Sequence, residues 1–212
     1  MEFLITLVNG LSLGGIYAMI ALGYTMVYGI AKMLNFAHGD VIMVGGYMIL
    51  LFLPINPIVA IIASVIFCTV AGIVIEKVAY KPLRGASPLA VLITAIGVSY
   101  LLQSVAQIAF GSASRFVIIA NLGTLKIGGL AIGYSTIITL ICSMVVMIGL
   151  NLFVKFSKTG RAMIAVSEDK GAAQLMGINV NNIIMITFAI GSALAALASL
   201  FFLLKAPSIT PT

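Results

Sequence analysis

Residues 3–31 read FLITLVNGLSLGGIYAMIALGYTMVYGIA, 29 residues without a formal charge. A helix needs about 20 apolar residues to cross a hydrocarbon core of roughly 30 Å. This run can therefore span a bilayer with some tilt or overhang. It is too long for the apolar part of a secretory signal, and Met1-Glu2 places no basic segment ahead of it. Working outward, five more apolar segments follow at 41–53, 58–75, 89–110, 131–154 and 183–204. None alternates apolar and polar residues as the strands of a membrane barrel do. The expected fold is all-α, a polytopic transmembrane helical protein with about six membrane segments in a single domain. The 41–53 segment has 13 residues and is short for a span, so it is expected to be broken or re-entrant.

Composition agrees. The chain is 62% hydrophobic and 8% charged, with a mean hydropathy of +1.26. The net charge of +6 does not point to nucleic acid, because the basic residues sit in short loops between spans. Loop 76–88 carries Lys77, Lys81 and Arg84, and loop 155–182 carries Lys155, Lys158, Arg161 and Lys170. Loop 111–130 between them carries Arg115 and Lys126. The excess of Lys and Arg marks the cytoplasmic side. The first two loops are therefore expected inside, with 54–57 and the N-terminus outside. Loop 111–130, rich in Gly and Ser, is expected to be an external loop or small hairpin. Cys68 and Cys142 lie within apolar runs and read as packing residues, and no Cys/His pattern for a metal or cofactor is present.

Two stretches hold candidate chemistry. The first is KMLNFAHGD, residues 32–40, with the chain's one histidine. A charge at the bilayer centre costs about 3 kcal/mol on insertion scales, so Lys32 and Asp40 need an interface, protein or water beside them. Asn35 and Gly39 favour a break, with a new helix starting near Asp40, whose carboxylate suits a helix N-terminus. Broken helices survive in membranes only against protein or a water-filled cavity. Asn35, His38 and Asp40 are thus candidates for a permeation path, with a plain polar turn as the alternative.

The second is KFSKTGRAMIAVSEDKGAAQLMGINVNN, residues 155–182. Ser167 is a candidate N-cap, Glu168 and Asp169 would occupy the first turn, and Gly177 would end the helix. A helix over 168–176 would place Ala172, Ala173 and Met176 together on one shallow face. Such a face either docks in a groove of another protein or lies on lipid headgroups, and the residues alone leave both open.

The pattern GRAxxAxxEDxxAAxxxGIN, Gly160 to Asn179, resembles the cytoplasmic loop of inner-membrane permeases of branched-chain amino acid ABC importers. NGLSLGGIYAMIALGYTMVYGI followed by LNFAHGD resembles their opening segment. The general coupling motif of ABC importers has a Glu directly before the two alanines; here Gly171 stands there and the acidic pair lies at 168–169. The resemblance implies a permease subunit in a bacterial or archaeal cytoplasmic membrane. Its partners would be cytoplasmic ABC ATPase subunits, a second permease subunit and an extracytoplasmic solute-binding protein. Branched-chain amino acids would be the small-molecule substrate, and membrane lipid the solvent. It also implies that Gly160, Arg161, Glu168, Asp169, Ala172, Ala173 and Gly177 form the ATPase-coupling loop. The chain is no enzyme on this reading, since it contains no G-x-x-x-x-G-K-[ST]. Rival expectations are a same-family permease for urea or short amides, a stand-alone channel or secondary transporter, and a non-transporting scaffold. Spans after residue 58 lack ionisable groups, which counts against an ion-coupled carrier. KAPSITPT at 205–212 resembles the start of an external loop that the family follows with further spans, so the chain is expected to be C-terminally incomplete.

Small residues mark helix contacts. Gly10 and Gly14 form a GxxxG, and Gly191, Ala195 and Ala198 line one face of the last span beside Ser192 and Ser199. Both sets are expected to pack within the subunit. Gln103 and Gln107, one turn apart, are expected to bond between helices.

Overall fold

The computed structural model describes residues 2–119, 123–127 and 130–211. The centre of the 111–130 loop and the last residue of the 205–212 tail lie outside the described residues. Among the described residues, five helices are long and apolar enough to cross a membrane: α1 (Glu2–Ala31), α3 (Pro57–Ile75, continued by a π and a 3-10 turn to Leu83), α4 (Pro88–Phe110), α5 (Tyr134–Phe156) and α8 (Val180–Lys205). Between α1 and α3 lies α2 (His38–Phe52), and between α5 and α8 lie α6 (Lys158–Glu168) and α7 (Lys170–Leu175).

Local chemistry sets several boundaries. Asn56 caps α3 through Oδ1, which accepts from the Ile58 N–H at 2.8 Å, with Pro57 in the first turn. Ser87 and Pro88 open α4 in the same way. The 111–130 region contributes a hairpin, β2 (Thr124–Ile127) against β3 (Leu130–Gly133), and β1 (Arg115–Phe116) pairs with β4 (Ser208–Ile209). The fifth span starts at Tyr134, because 131–133 belong to the hairpin and not to the helix expected from residue 131.

Contacts sort the elements into two ends. Lys205 Nζ donates to the Asn9 carbonyl, and Thr136 Oγ1 donates to Asn9 Oδ1, so the start of α1 lies with the strands. Lys170 Nζ donates to the Ala31 carbonyl at 2.9 Å, and Arg84 bonds to Asn181, so the end of α1 lies with the α3–α4 turn and α6–α7. The 76–88 and 155–182 segments thus share one end, here called the basic end. The chain crosses six times between the two.

Helix α2 has 15 residues, about 22 Å at 1.5 Å each, which is short for a crossing. The six residues 32–37 supply the rest as a non-helical leg that starts at the basic end and closes in a turn over 35–38. The α2 C-terminus packs at the strand end, where Tyr47 and Ile49 join Leu203 and Ile209. The segment is broken and crosses; it is not re-entrant.

Helix α8 is the centre, with 61% of its spanning window buried. Lipid offers no hydrophobic drive between helices, so close backbone approach carries the packing. Gly191 meets α1 at Gly23, where a Cβ on Gly191 would lie 3.2 Å from the Gly23 carbonyl oxygen. Ser192 fills the space that a Cβ on Gly72 of α3 would need, and a Cβ on Gly45 of α2 would lie 3.3 Å from Ala196. The small face of the last span therefore packs within the subunit, as expected. Gly10 and Gly14 do not: a Cβ at either would meet nothing within 4 Å, and α1 instead meets Ser143 of α5 through Gly15.

Candidate functional site

Two groups of candidate residues are placed by the fold, one rising into the bundle from the end of α1 and one at the basic end. The first begins where α1 stops. Lys32 takes the left-handed φ of +59°, and its N–H returns to the Tyr28 carbonyl at 2.9 Å. That is the single-bond left-handed helix stop that usually uses glycine. The sequence pattern offered Asn35 and Gly39 for the break, but Gly39 is helical and Asn35 caps nothing with its side chain.

The leg then climbs beside α1. His38 reaches the level of Gly23, eight residues or about 12 Å above Ala31. Asn35, His38 and Asp40 are 4%, 3% and 8% exposed, which excludes a surface turn. Tyr80, at the end of the α3 extension, donates its hydroxyl to Asn35 Oδ1 at 3.0 Å. Gln103 of α4 donates to Asp40 Oδ1 at 2.9 Å and to Ser99 Oγ. Of the two glutamines expected to bond between helices, Gln103 does, while Gln107 is exposed. The His38 ring stands edge-on to Tyr24 at 6.3 Å. Its Nε2 is buried; the Ile20 carbonyl is the backbone group facing the ring, yet Nε2 makes no hydrogen bond. The leg, α1 and Tyr24 border a largely apolar cavity of about 380 Å³ that His38 lines. Asn35 and Asp40 each have a hydrogen-bond partner on another element, which is how buried polar groups persist in hydrocarbon.

The second group is the α6–α7 loop. Ser157 caps α6 by accepting from the Gly160 N–H at 2.8 Å. Gly160 has a packing reason as well: a Cβ there would run into the carbonyls of Phe153 and Val154 in α5. Met163 and Val166 face the core, while Arg161 and Glu168 are exposed. The single helix expected over 168–176 is replaced by two. Glu168 ends α6, Asp169 is the cap of α7, and its Oδ1 accepts from the N–H groups of Gly171 and Ala172. Ser167 is no cap, since its hydroxyl is turned back to the Ile164 carbonyl within α6. Gly177, at φ +81°, ends α7 as expected, and the Ile178 N–H returns to the Ala173 carbonyl.

The expected alanine face divides. Ala173 is 3% exposed and belongs to the core, whereas Ala172 faces outward. The outward face adds Leu175 and Met176, 91% and 82% exposed, the first of which the sequence pattern missed. An i, i+3, i+4 count from Ala172 would have found it. Lys170, the first residue of α7, ties this loop to the end of α1 through the Ala31 carbonyl. Burial first, then the Arg84 guanidinium and the Lys32 ammonium, hold its amine below the usual 10.5 of lysine. Among the described residues no three His, Cys, Asp or Glu side chains gather as metal ligands.

Comparison with known proteins gives this geometry a family. Residues 6–212 match the family model described as "Branched-chain amino acid transport system / permease component". The chain is 41% identical, over an alignment 226 positions long, to the high-affinity branched-chain amino acid transport system permease protein BraD of Pseudomonas aeruginosa, covering 99% of this chain and 74% of that protein. It is 38% identical to the LivH permease protein of Salmonella typhimurium and 37% identical to that of Escherichia coli K12. Each of these alignments covers 92% of this chain and 69% of the relative. No solved structure matches.

Proposed function

Because this chain belongs to the family of branched-chain amino acid transport permease components, we propose that it is the membrane-spanning subunit of an ATP-driven importer that carries branched-chain amino acids across a bacterial or archaeal cytoplasmic membrane. The basic end faces the cytoplasm, and a cytoplasmic ABC ATPase docks there on α7. A second permease subunit and an extracytoplasmic solute-binding protein complete the machine.

One observation carries the reading. An apolar face of Ala172, Leu175 and Met176 stands free on a capped helix at the basic end, and the next side chain inward, Lys170, holds the last carbonyl of α1. A push on α7 is thereby delivered to the leg that carries Asn35 and leads to His38 and Asp40. Of the expected coupling residues, Ala172 belongs to the docking face and Arg161 and Glu168 to its exposed rim. Gly160, Asp169, Ala173 and Gly177 shape and seat the helices. Asn35, His38 and Asp40 act as the gate region beside the path.

The test is co-purification. With Leu175 and Met176 both changed to Asp, the chain inserts at normal levels and loses the ATPase. Undiminished ATPase recovery with the double variant would refute docking on this face.

A further inference from the structure

A cavity of about 350 Å³ lies at the basic end between the close of α1, the turn after α3, the start of α4 and α7. Three cations border it. Lys32 comes from the left-handed stop of α1, Arg84 from the turn after α3, and Lys170 from the first residue of α7. Among the described residues the one salt bridge is that of Arg84 with Glu76, so the two lysines stay unneutralised. Asp169, next to Lys170, has its Oδ1 bound to the backbone of α7. Arg84 Nε is buried without a partner, although the other two guanidinium nitrogens are bonded to Asn181 and Glu76. Burial first, and then the neighbouring Arg84 and Lys32 charges, hold the Lys170 amine below its ordinary value. The rest of the wall is apolar, formed by Met33, Leu83, Val91 and Leu92 among others.

Cations held together against an apolar wall at the edge of a span call for an anion that brings its own apolar part. Phosphate oxygens take charge-assisted hydrogen bonds from ammonium and guanidinium groups, and basic pockets between membrane helices bind anionic headgroups in this way. We propose that this cavity binds the phosphate of an anionic phospholipid of the leaflet at the basic end, with an acyl chain against the Met33–Leu92 wall. The lipid would bridge Lys32 and Lys170, and so steady the contact between α7 and the end of α1. Naming that leaflet cytoplasmic rests on the orientation proposed above; the chemistry of the site does not.

The full chain is released from nanodiscs of mixed phosphatidylglycerol and phosphatidylcholine and weighed by native mass spectrometry. One phosphatidylglycerol stays bound in preference to phosphatidylcholine. Lys32→Gln and Lys170→Gln each lower that retention about fivefold, the effect of one basic residue at a membrane surface. Lys77→Gln, an exposed lysine outside the cavity, leaves it unchanged. Equal retention of the two lipids, or an equal loss with Lys77→Gln, overturns the site. Displacement of the lipid by inorganic phosphate at similar concentration would make the ligand a soluble phosphate and overturn the lipid assignment. A lipid titration on the unmodified chain keeps the result independent of variant folding. No ATPase or transport enters the readout, so failure here leaves the importer reading standing, and failure of docking leaves the lipid site standing.

Discussion

Asp40 is 8% exposed inside a membrane-spanning segment, and the partner shown for its carboxylate is the Gln103 amide at 2.9 Å. Gln103→Leu leaves that acceptor dry, at a cost of about 1–3 kcal/mol, more for a charged group. A clear drop in unfolding temperature in detergent is expected. Asp40→Asn keeps an oxygen for Gln103 and should melt close to the parent; an equal drop for both would show that the charge, not the hydrogen bond, holds α2 to α4. Lys170 gives a pH prediction. Its folded-state pKa lies below the 10.5 of an exposed lysine, so as pH rises Lys170 loses its proton first. In the window between the two values the unfolded chain binds more protons, so folding stability rises with pH there. Acylation followed by mass spectrometry should modify Lys170 at lower pH than an ordinary lysine amine, and Lys32→Gln should raise that pH by removing one of the like charges.

At the scale of elements, α7 depends on its cap. Six residues cannot hold a helix alone in water, since nucleation is costly and only tertiary contact and capping offset it. Asp169→Ala removes the acceptor for two N–H groups and should cost about 1 kcal/mol locally. Faster amide exchange over 170–177, with α8 unchanged, is the expected readout. The cap also shows where sequence reasoning stopped. The sequence reading places the cap at Ser167, but Asp169 two residues on is as good a capping type, and local propensity does not choose between them. Tertiary burial of Met163 and Val166 holds α6 in register through Ser167, and Asp169 is the first side chain left free to turn back on the backbone. The spans themselves were legible, because apolar run length is a property of the chain alone: α4 runs Pro88–Phe110 where the apolar run is 89–110. The bonds of the polar site were not. Tyr80 to Asn35, Gln103 to Asp40 and Lys170 to Ala31 join residues 45, 63 and 139 apart, beyond any periodicity.

At the scale of the molecule, a membrane bundle is held where backbones approach and is open where they do not, and glycine position alone does not separate the two. Gly72 and Gly10 look alike in the sequence, each within an apolar run. Gly72 lies against Ser192, and a Cβ there would also come within 3.0 Å of the Phe188 carbonyl oxygen. The Ser192 hydroxyl can rotate away, but its Cβ at 2.7 Å and the helix carbonyl cannot, so α3 and α8 would have to part. Because α8 also seats α1 at Gly191 and α2 at Ala196, parting it from α3 loosens the bundle at its axis. Gly72→Val should therefore cost about 1–3 kcal/mol, the usual penalty of overpacking, and lower the unfolding temperature of the isolated subunit. Gly10→Val points into open space and should leave that temperature unchanged. In the importer proposed above, any effect of Gly10→Val should appear as weaker recovery of a partner subunit and not as a lower melting temperature of the isolated chain. Equal melting of the two variants would mean that α8 is not the axis on which the other spans are hung.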